Sequence, residues 1–314
     1  MPNIAKIEIS EINRLARTDP RELIRRSEER YKNFTDEIAT RVAENENIRI
    51  ILLAGPSGSG KTTTANLLAD GIRKKGLFST VISLDDFYRD STDPRYPRLP
   101  NGERDFETVD ALSLADIEST LLSISRGEDF SVHKYDFKLG RRTSTKKHPK
   151  ISHGCVIIEG LHALNPKISA HLPSDKVLKI FISVSVNIED GGVRILSGRK
   201  LRFARRMVRD SLYRGADAEV TLKLWENVRA GEDKYLYPFR SLADVEFNTF
   251  HAFEPCVMRK YAESLISNEL AEKNEYAGIV LSALRRAEPI DEALIPDDSL
   301  MREFIIGGIY EEFY

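Results

Sequence analysis

The run "IRIILLAGPSGSGKTTT" constrains this chain more than any other stretch. Its apolar half is β-branched and unbroken, as a strand buried on both faces should be. Gly55, Gly60, Lys61 and Thr62 then fill the spacing G-x-x-x-x-G-K-[ST]. "TTTANLLADGIRKKG" continues with apolar residues at helical spacing, basic residues late and Gly76 as a C-cap. Strand, glycine-rich turn and helix form the context that this pattern requires. Glycines let backbone N–H groups crowd around phosphate oxygens, and the helix N-terminus adds partial positive charge. Gly55, Ser57, Gly58, Ser59, Gly60, Lys61, Thr62 and Thr63 are therefore the expected phosphate cradle for ATP. Lys61 would reach the β- and γ-phosphates, and the Thr62 hydroxyl would ligate Mg²⁺. The pattern speaks for nucleotide binding and leaves open what the phosphate is used for.

With 314 residues and a 41% apolar share, the chain can build about two domains, or one large α/β domain with extensions. A net charge of −2 argues against a polyanion binder over the whole chain, so nucleic acid is not an expected partner. The two cysteines, Cys155 and Cys256, are far apart and form no C-x-x-C. A disulfide framework and a Cys-rich metal site are both unsupported, and a reducing cytoplasm fits. No signal pattern opens the chain, and no apolar run approaches the ~20 residues of a membrane span. A cytoplasmic protein without a membrane partner is expected, with homo-oligomerisation left open.

Residues 1–47 are highly charged with helical spacing, and Pro20 after Asp19 marks a helix start, so they read as a helical arm. From residue 48 the chain alternates: strand 48–54, helix 61–75, strand 79–86, a proline-punctuated loop, helix 111–125 and the short strand "FSVHKYDF". A basic loop, "KLGRRTSTKKHPKISHG", precedes the apolar strand "CVIIEG", and "KVLKIFISVSV" is one further strand. Such alternation implies right-handed βαβ units and a central, mostly parallel sheet flanked by helices. Residues 194–235 are basic and helical, "ADVEFNT" is a last strand, and 255–286 read as two helices. The resulting division is an arm (1–47), a core (48–254) with a lid at about 194–235, and a C-terminal helical extension (255–314). The tail "IPDDSLMREFIIGG" receives no role.

In α/β sheets, ligands gather at the carboxyl ends of the strands. "VISLDDFY" ends there in Asp85 and Asp86, and "VIIEG" ends in Glu159. A carboxylate followed by Phe87 and Tyr88 suits an acceptor that bears a hydroxyl, which the acid would orient or deprotonate. The same two aspartates could equally be turn residues or a helix N-cap. In "SGRKLRFARRMVRDSLYRG", Arg202, Arg205 or Arg206, and Arg209 recur at i, i+3/i+4 and i+7 and share one helical face. That stripe can close over triphosphate and stabilise the transferring group, or form a solvated or nucleic-acid-binding face.

"GPSGSGKTT", "SLDDFYRD", "DFETVDAL", "KYDF", "IIEGLHAL" and "RRMVRDSLYRG" together resemble the uridine kinase / phosphoribulokinase family, over about residues 48–250. The likeness is greatest to the uridine kinase branch, which phosphorylates the 5′-hydroxyl of a pyrimidine nucleoside. It implies a P-loop kinase fold with an arginine-rich lid. It also implies Asp85 as catalytic base, Tyr88 as a pocket wall, Tyr135 and Phe137 on the base, and Glu107 where the family places a ribose-binding Asp. Glu159 and Asp85 join Thr62 as metal ligands or water-mediated partners. The match weakens where the family places a base-reading histidine, because Gly140 stands there. Arg141 or Arg142 could substitute, or the acceptor could be something other than a pyrimidine. His162 leans toward the phosphoribulokinase and pantothenate kinase side, or is an ordinary loop histidine. These readings converge on ATP-dependent phosphorylation of a small acceptor, a nucleoside first. Catalysis falls to Lys61, Asp85, Arg205 and Arg206, and Arg202 and Arg209 face the substrate. A sugar-phosphate or pantothenate-type kinase is the neighbouring alternative. A nucleotide-dependent regulator or nucleic-acid-binding ATPase is the distant one.

Overall fold

The strand feeding the glycine-rich turn is buried along its whole length, so it must lie inside a sheet covered on both faces. The computed structural model, which describes residues 4–99 and 101–313, places it at the centre of such a sheet. The chain starts with β1 (Ala5–Glu8), α1 (Ile9–Thr18) and α2 (Pro20–Glu44), ahead of β2 (Ile50–Ala54) and α3 (Lys61–Lys74). Next come β3 (Phe78–Ser83), α4 (Leu114–Arg126), β4 (Phe130–Asp136), β5 (Arg141–His148) and β6 (Gly154–Glu159). A short α5 (Pro166–Ser169) leads to β7 (Val177–Ser183), β8 (Val186–Asp190) and β9 (Val193–Ser197). Then follow α6 (Gly198–Arg214), α7 (Ala218–Tyr235), β10 (Val245–Asn248), α8 (Glu254–Leu265), α9 (Asn268–Lys273) and α10 (Glu275–Arg285).

Five strands form one all-parallel sheet in the order β10-β7-β2-β6-β3. The two-residue period of β2 divides its side chains between two cores. Ile50, Leu52 and Ala54 pack with Ile117 and Leu121 of α4, while Ile51 and Leu53 pack with α2 and α3. A third core joins α1, α2, α6, α7, α8, α10 and the C-terminal segment around Phe203, Trp225 and Phe304. Both ends of the chain therefore pack onto the nucleotide-loop side of the molecule.

The expected helix start at Pro20 is present, with the Asp19 side chain accepting from Glu22 N at 3.0 Å. Residues 1–47 are not wholly helical, however, because β1 pairs in parallel with β8 in a second, three-stranded sheet, β1-β8-β9. "KVLKIFISVSV" is accordingly two strands rather than one. The chain leaves the central sheet after Ser183 and enters the small one at Val186. The stretch 194–235 likewise begins inside strand β9. The basic loop after β4 contains strand β5, antiparallel to β4. Its residues are exposed on both faces, so no apolar alternation revealed it. Residues 255–286 hold three helices, because Ser267 and Asn274 each cap a new start, accepting from Leu270 N and Ala277 N. No helix among the described residues is long and apolar enough to cross a membrane.

Helix α2 meets α3 where a Cβ on Gly71 would lie only 3.2 Å from the Ala39 Cβ. Ala39 itself is fully buried. Ala39→Leu should therefore overpack this crossing and cost about 1–3 kcal/mol, read as a lower urea midpoint. An unchanged midpoint would show that α2 is not integral to the fold around the nucleotide loop.

Candidate active site

The loop 55–60 is held from outside by its carbonyls. Arg202 Nη1 donates to Ser57 O at 2.7 Å, Arg205 Nη1 to Gly58 O at 3.1 Å, and Thr249 Oγ1 to Ser59 O at 2.7 Å. With three successive carbonyls committed to donors, their negative ends are kept from repelling an anion. Gly58 adopts φ +71°, and a Cβ there would lie 2.8 Å from Arg202 O, so the close approach of α6 requires glycine. Lys61 Nζ donates to Pro56 O at 3.3 Å, and the half-buried Thr62 opens α3.

The arginine stripe divides into two pairs with different partners. Arg202 is bound by both carboxylate oxygens of Glu232 at 2.7 Å, and Arg205 is bidentate on Glu254. All four groups are buried, with side-chain exposures of 2% or less. Arg205, expected to act on the transferring group, and Arg202, expected to face substrate, instead brace the loop. A guanidinium buried against a bidentate carboxylate and a loop carbonyl is held away from a ligand. Arg206 and Arg209 are only partly covered. Arg206 Nη1 donates to Ser57 Oγ at 2.9 Å, and Asp210 sits within 3.2 Å of Arg206, 3.6 Å of Arg209 and 3.1 Å of Arg214. Arg214, outside the i, i+3/i+4, i+7 stripe, is near enough to Asp85 for its charge to favour that carboxylate. Helical spacing identifies a face and not its depth, so periodicity could not separate these pairs.

The two aspartates after β3 also have different duties. Asp86 Oδ1 accepts from Tyr135 N at 3.2 Å and lies 3.4 Å from Lys134 Nζ, fastening the β4–β5 hairpin to the sheet. Asp85 keeps a solvent-exposed surface, yet surrounding protein disfavours its charge and raises its carboxyl above the ordinary range, with Lys61 opposing. Glu159 is level with Ser83 on the neighbouring strand and is 6% exposed. Burial pushes it to about 7, again against Lys61. Thr62, Glu159 and Asp85 are oxygen ligands of the kind Mg²⁺ takes. Among the described residues no three His, Cys, Asp or Glu side chains gather to hold an ion alone.

Beyond Asp85 lies a cleft of about 300 Å³ whose lining includes Arg104, Phe106, Glu107, Arg206, Gly231 and Tyr235. Burial pushes Glu107 to about 7, opposed by Arg206. Its carboxylate fits against Gly231, where a Cβ would stand 2.9 Å from Oε2, so the longer acid is matched by a notch in α7. Tyr88, Tyr135 and Phe137 form a triad with centroids 5.0–5.7 Å apart, and Phe137 is 59% exposed. Tyr88 donates its hydroxyl to Phe106 O at 2.9 Å. Gly140 is a hairpin-turn residue at φ +63°, its N–H on Asp136 O and its carbonyl on Ser91 N, both at 2.7 Å. A Cβ there would meet Ser91 Oγ at 2.8 Å and Ser91 Cβ at 2.9 Å on a left-handed backbone, so a side chain at this position would be strained. Arg142 is tied to Asp116 at 2.7 Å, whereas Arg141 is exposed on β5. His162 is buried and pulled down to about 4 by desolvation, hence neutral at physiological pH.

A central parallel sheet, a phosphate loop at its carboxyl edge and an arginine-bearing helix behind that loop define a P-loop kinase fold. The chain belongs to the Phosphoribulokinase / Uridine kinase family, whose model matches residues 50–253. It is 28% identical over 196 residues to the uridine kinase of Saccharomyces cerevisiae, spanning 62% of this chain but only 36% of the yeast protein. It is 25% identical over 197 residues to the uridine kinase of Lactobacillus helveticus, covering 62% of this chain and 84% of that one. A solved structure described as a candidate fructose transport system kinase from Silicibacter sp. shares the fold, with a TM-score of 0.51 at 19% identity. That likeness covers 68% of this chain and 98% of the other.

Removing one partner of a buried ion pair strands the other. Glu254→Ala should cost roughly 3–5 kcal/mol, whereas Glu263→Ala, at an exposed pair with Arg259, should cost little. Comparable urea midpoints for the two variants would contradict the bracing role. A carboxyl that rises from 4.5 to about 7 on folding binds more protons when folded across that window, so stability falls as pH rises through it. The unliganded protein should lose thermal stability from pH 4.5 to 7, and Glu159→Gln should remove part of that slope. An identical slope in the variant would refute the assignment to Glu159.

Proposed function

We propose that the chain is an ATP-dependent kinase that transfers the γ-phosphoryl group to a hydroxyl of a small acceptor, first among them the 5′-hydroxyl of a nucleoside. The observation that carries this reading is that the charge of Lys61, on the phosphate loop, bears on both Asp85 and Glu159 at the carboxyl edge of the sheet. Asp85 takes the acceptor's proton as its oxygen bonds to the γ-phosphorus, and the bond to the β–γ bridging oxygen breaks to release ADP. A carboxyl raised by its surroundings is a stronger base than a solvated one. Lys61 and Arg206, with Arg209 and Arg214 behind them, offset the charge spread over the transferring group. Thr62, with Glu159 and Asp85 directly or through water, would hold Mg²⁺, which when bound neutralises phosphate charge.

The nucleoside reading draws support from the aromatic triad beside Glu107 and from the uridine kinases among the relatives. Glu107 can accept from sugar hydroxyls, while stacking on the exposed Phe137, with the buried Tyr135 behind it, tolerates any base. With a turn glycine at 140, base choice should be loose. A second reading, a phosphorylated sugar, has its own support in Arg104 and Lys234, which line the same cleft. The distant alternative, binding of phosphodiesters by the arginine stripe, is disfavoured because Arg202 and Arg205 are buried.

ADP formation from Mg·ATP should be measured against nucleosides, pentose phosphates and pantothenate. Acceptor-dependent ADP with several nucleosides is the expected result. Activity on pentose phosphates alone would select the second reading, and none on any acceptor would remove the kinase reading. Asp85→Asn should keep ATP binding while turnover falls by about 100-fold or more. Near wild-type turnover in that variant would sink Asp85 as base.

A further inference from the structure

The C-terminal segment, to which no motif assigned a role, reaches the phosphate cradle itself. The Thr63 N–H lies in the first turn of α3, where an amide finds no acceptor within its own helix. Its acceptor is Glu303, whose Oε2 takes Thr63 N at 3.2 Å and Thr63 Oγ1 at 2.8 Å. Loop amides of this kind cradle the α- and β-phosphates of a nucleotide. Lys61 serves the β- and γ-phosphates and Thr62 the metal, so the amide one residue further on serves the nucleoside side of the chain of phosphates. A carboxylate and a phosphate cannot occupy the same two donors, and their charges repel.

The neighbours of Glu303 show which part of the segment can move. Leu300, Met301, Phe304 and Ile305 are wholly buried. A Cβ on Gly60 would lie 2.4 Å from Leu300 Cδ1, and the Arg205 guanidinium lies 5.0 Å from the Phe304 ring centroid. Lifting so much apolar surface out of the core is costly. Turning one side chain is not, and Arg209 Nη1 is already 3.7 Å from Glu303 Oε1.

We propose that Glu303 is a built-in competitor for the donor's α-phosphate. Its carboxylate holds the Thr63 donors until a nucleotide displaces it toward Arg209, and it sets donor affinity by that competition. ATP and ADP share the α-phosphate, so the device weakens both and speeds product release. This inference rests on the donor-site reading given above, and the experiment separates the two. Calorimetric binding of ADP and ATP should be compared for wild type, Glu303→Gln and Glu303→Ala, with thermal unfolding as a check of folding. Gln keeps an acceptor oxygen for Thr63 while removing the charge. Both nucleotides should bind about tenfold or more tightly to Glu303→Gln, since like charges at contact distance repel by more than that equivalent. Pyrophosphate, which can occupy the inner positions alone, should change far less, and KM for ATP should fall. Unchanged or weaker ADP binding by a folded variant would make Glu303 a helix cap and overturn the proposal. Absence of nucleotide binding by wild type and both variants would overturn the donor site and this proposal together.

Discussion

The glycine-rich loop cannot hold its own shape, because glycine backbones are the freest in the chain. Its conformation is set by donors brought to Ser57 O, Gly58 O and Ser59 O, and two of those donors are buried guanidinium groups. Arg202 and Arg205 can be buried only because Glu232 and Glu254 neutralise them. Such pairs contribute little net stability, since desolvation offsets attraction, but they are strict about position. That strictness places α6 against the loop, α7 behind Arg202 and the start of α8 behind Arg205. Glu232 also accepts from Ser57 N at 2.8 Å, so one carboxylate ties loop and arginine together.

With the loop braced, the charge pattern at the sheet edge follows. β3 and β6 are neighbours, so Asp85, in the turn after β3, comes near Glu159 at the end of β6; burial raises both carboxyls, and the charge of Asp85 adds to the rise at Glu159. Lys61 is the opposing charge, and the balance leaves acids that hold protons more readily than solvated ones. Asp86 adds to the rise at Asp85, while its own carboxylate is engaged by the hairpin. The hairpin in turn brings Tyr135 and Phe137 against Tyr88, and so the anchor of one acid shapes the wall beside the other.

Both ends of the chain bear on the same helix. Tyr31 of α2 shares a hydrogen bond of 2.6 Å with Thr64 Oγ1, and Ser299 donates to Glu28 of α2 at 2.5 Å. Helix α3 is thus held between an N-terminal helix and a C-terminal segment that also supplies Glu303. Contacts of this kind couple donor-site geometry to residues far outside the 50–253 stretch that defines the family.

The parts legible in the sequence are those whose physics is local. The phosphate cradle was readable because strand, turn and helix are adjacent in the chain. Glu159 was readable because a buried strand delivers its last residue to the carboxyl edge of a parallel sheet, and Asp85 because the turn after β3 lies at the same edge, although the expected strand 79–86 stops at Ser83. The helix start at Pro20 needed only its own cap. Periodicity located the arginine face but could not say that Arg202 and Arg205 lie deeper than Arg206 and Arg209, because burial depends on what packs opposite. Strand β5 was hidden because neither of its faces meets a core, and the turn that forces Gly140 exists only once β5 pairs with β4. Glu232, Glu254 and Glu303 carry no local signal. Each meets its partner 30, 49 or 240 residues away in the chain. The sequence by itself determined which atoms could hold a phosphate, because a helix N-terminus and its turn are built from consecutive residues. Only the tertiary structure decided which charges were buried to brace that site and which were left to act in it, because desolvation is set by neighbours distant in the chain.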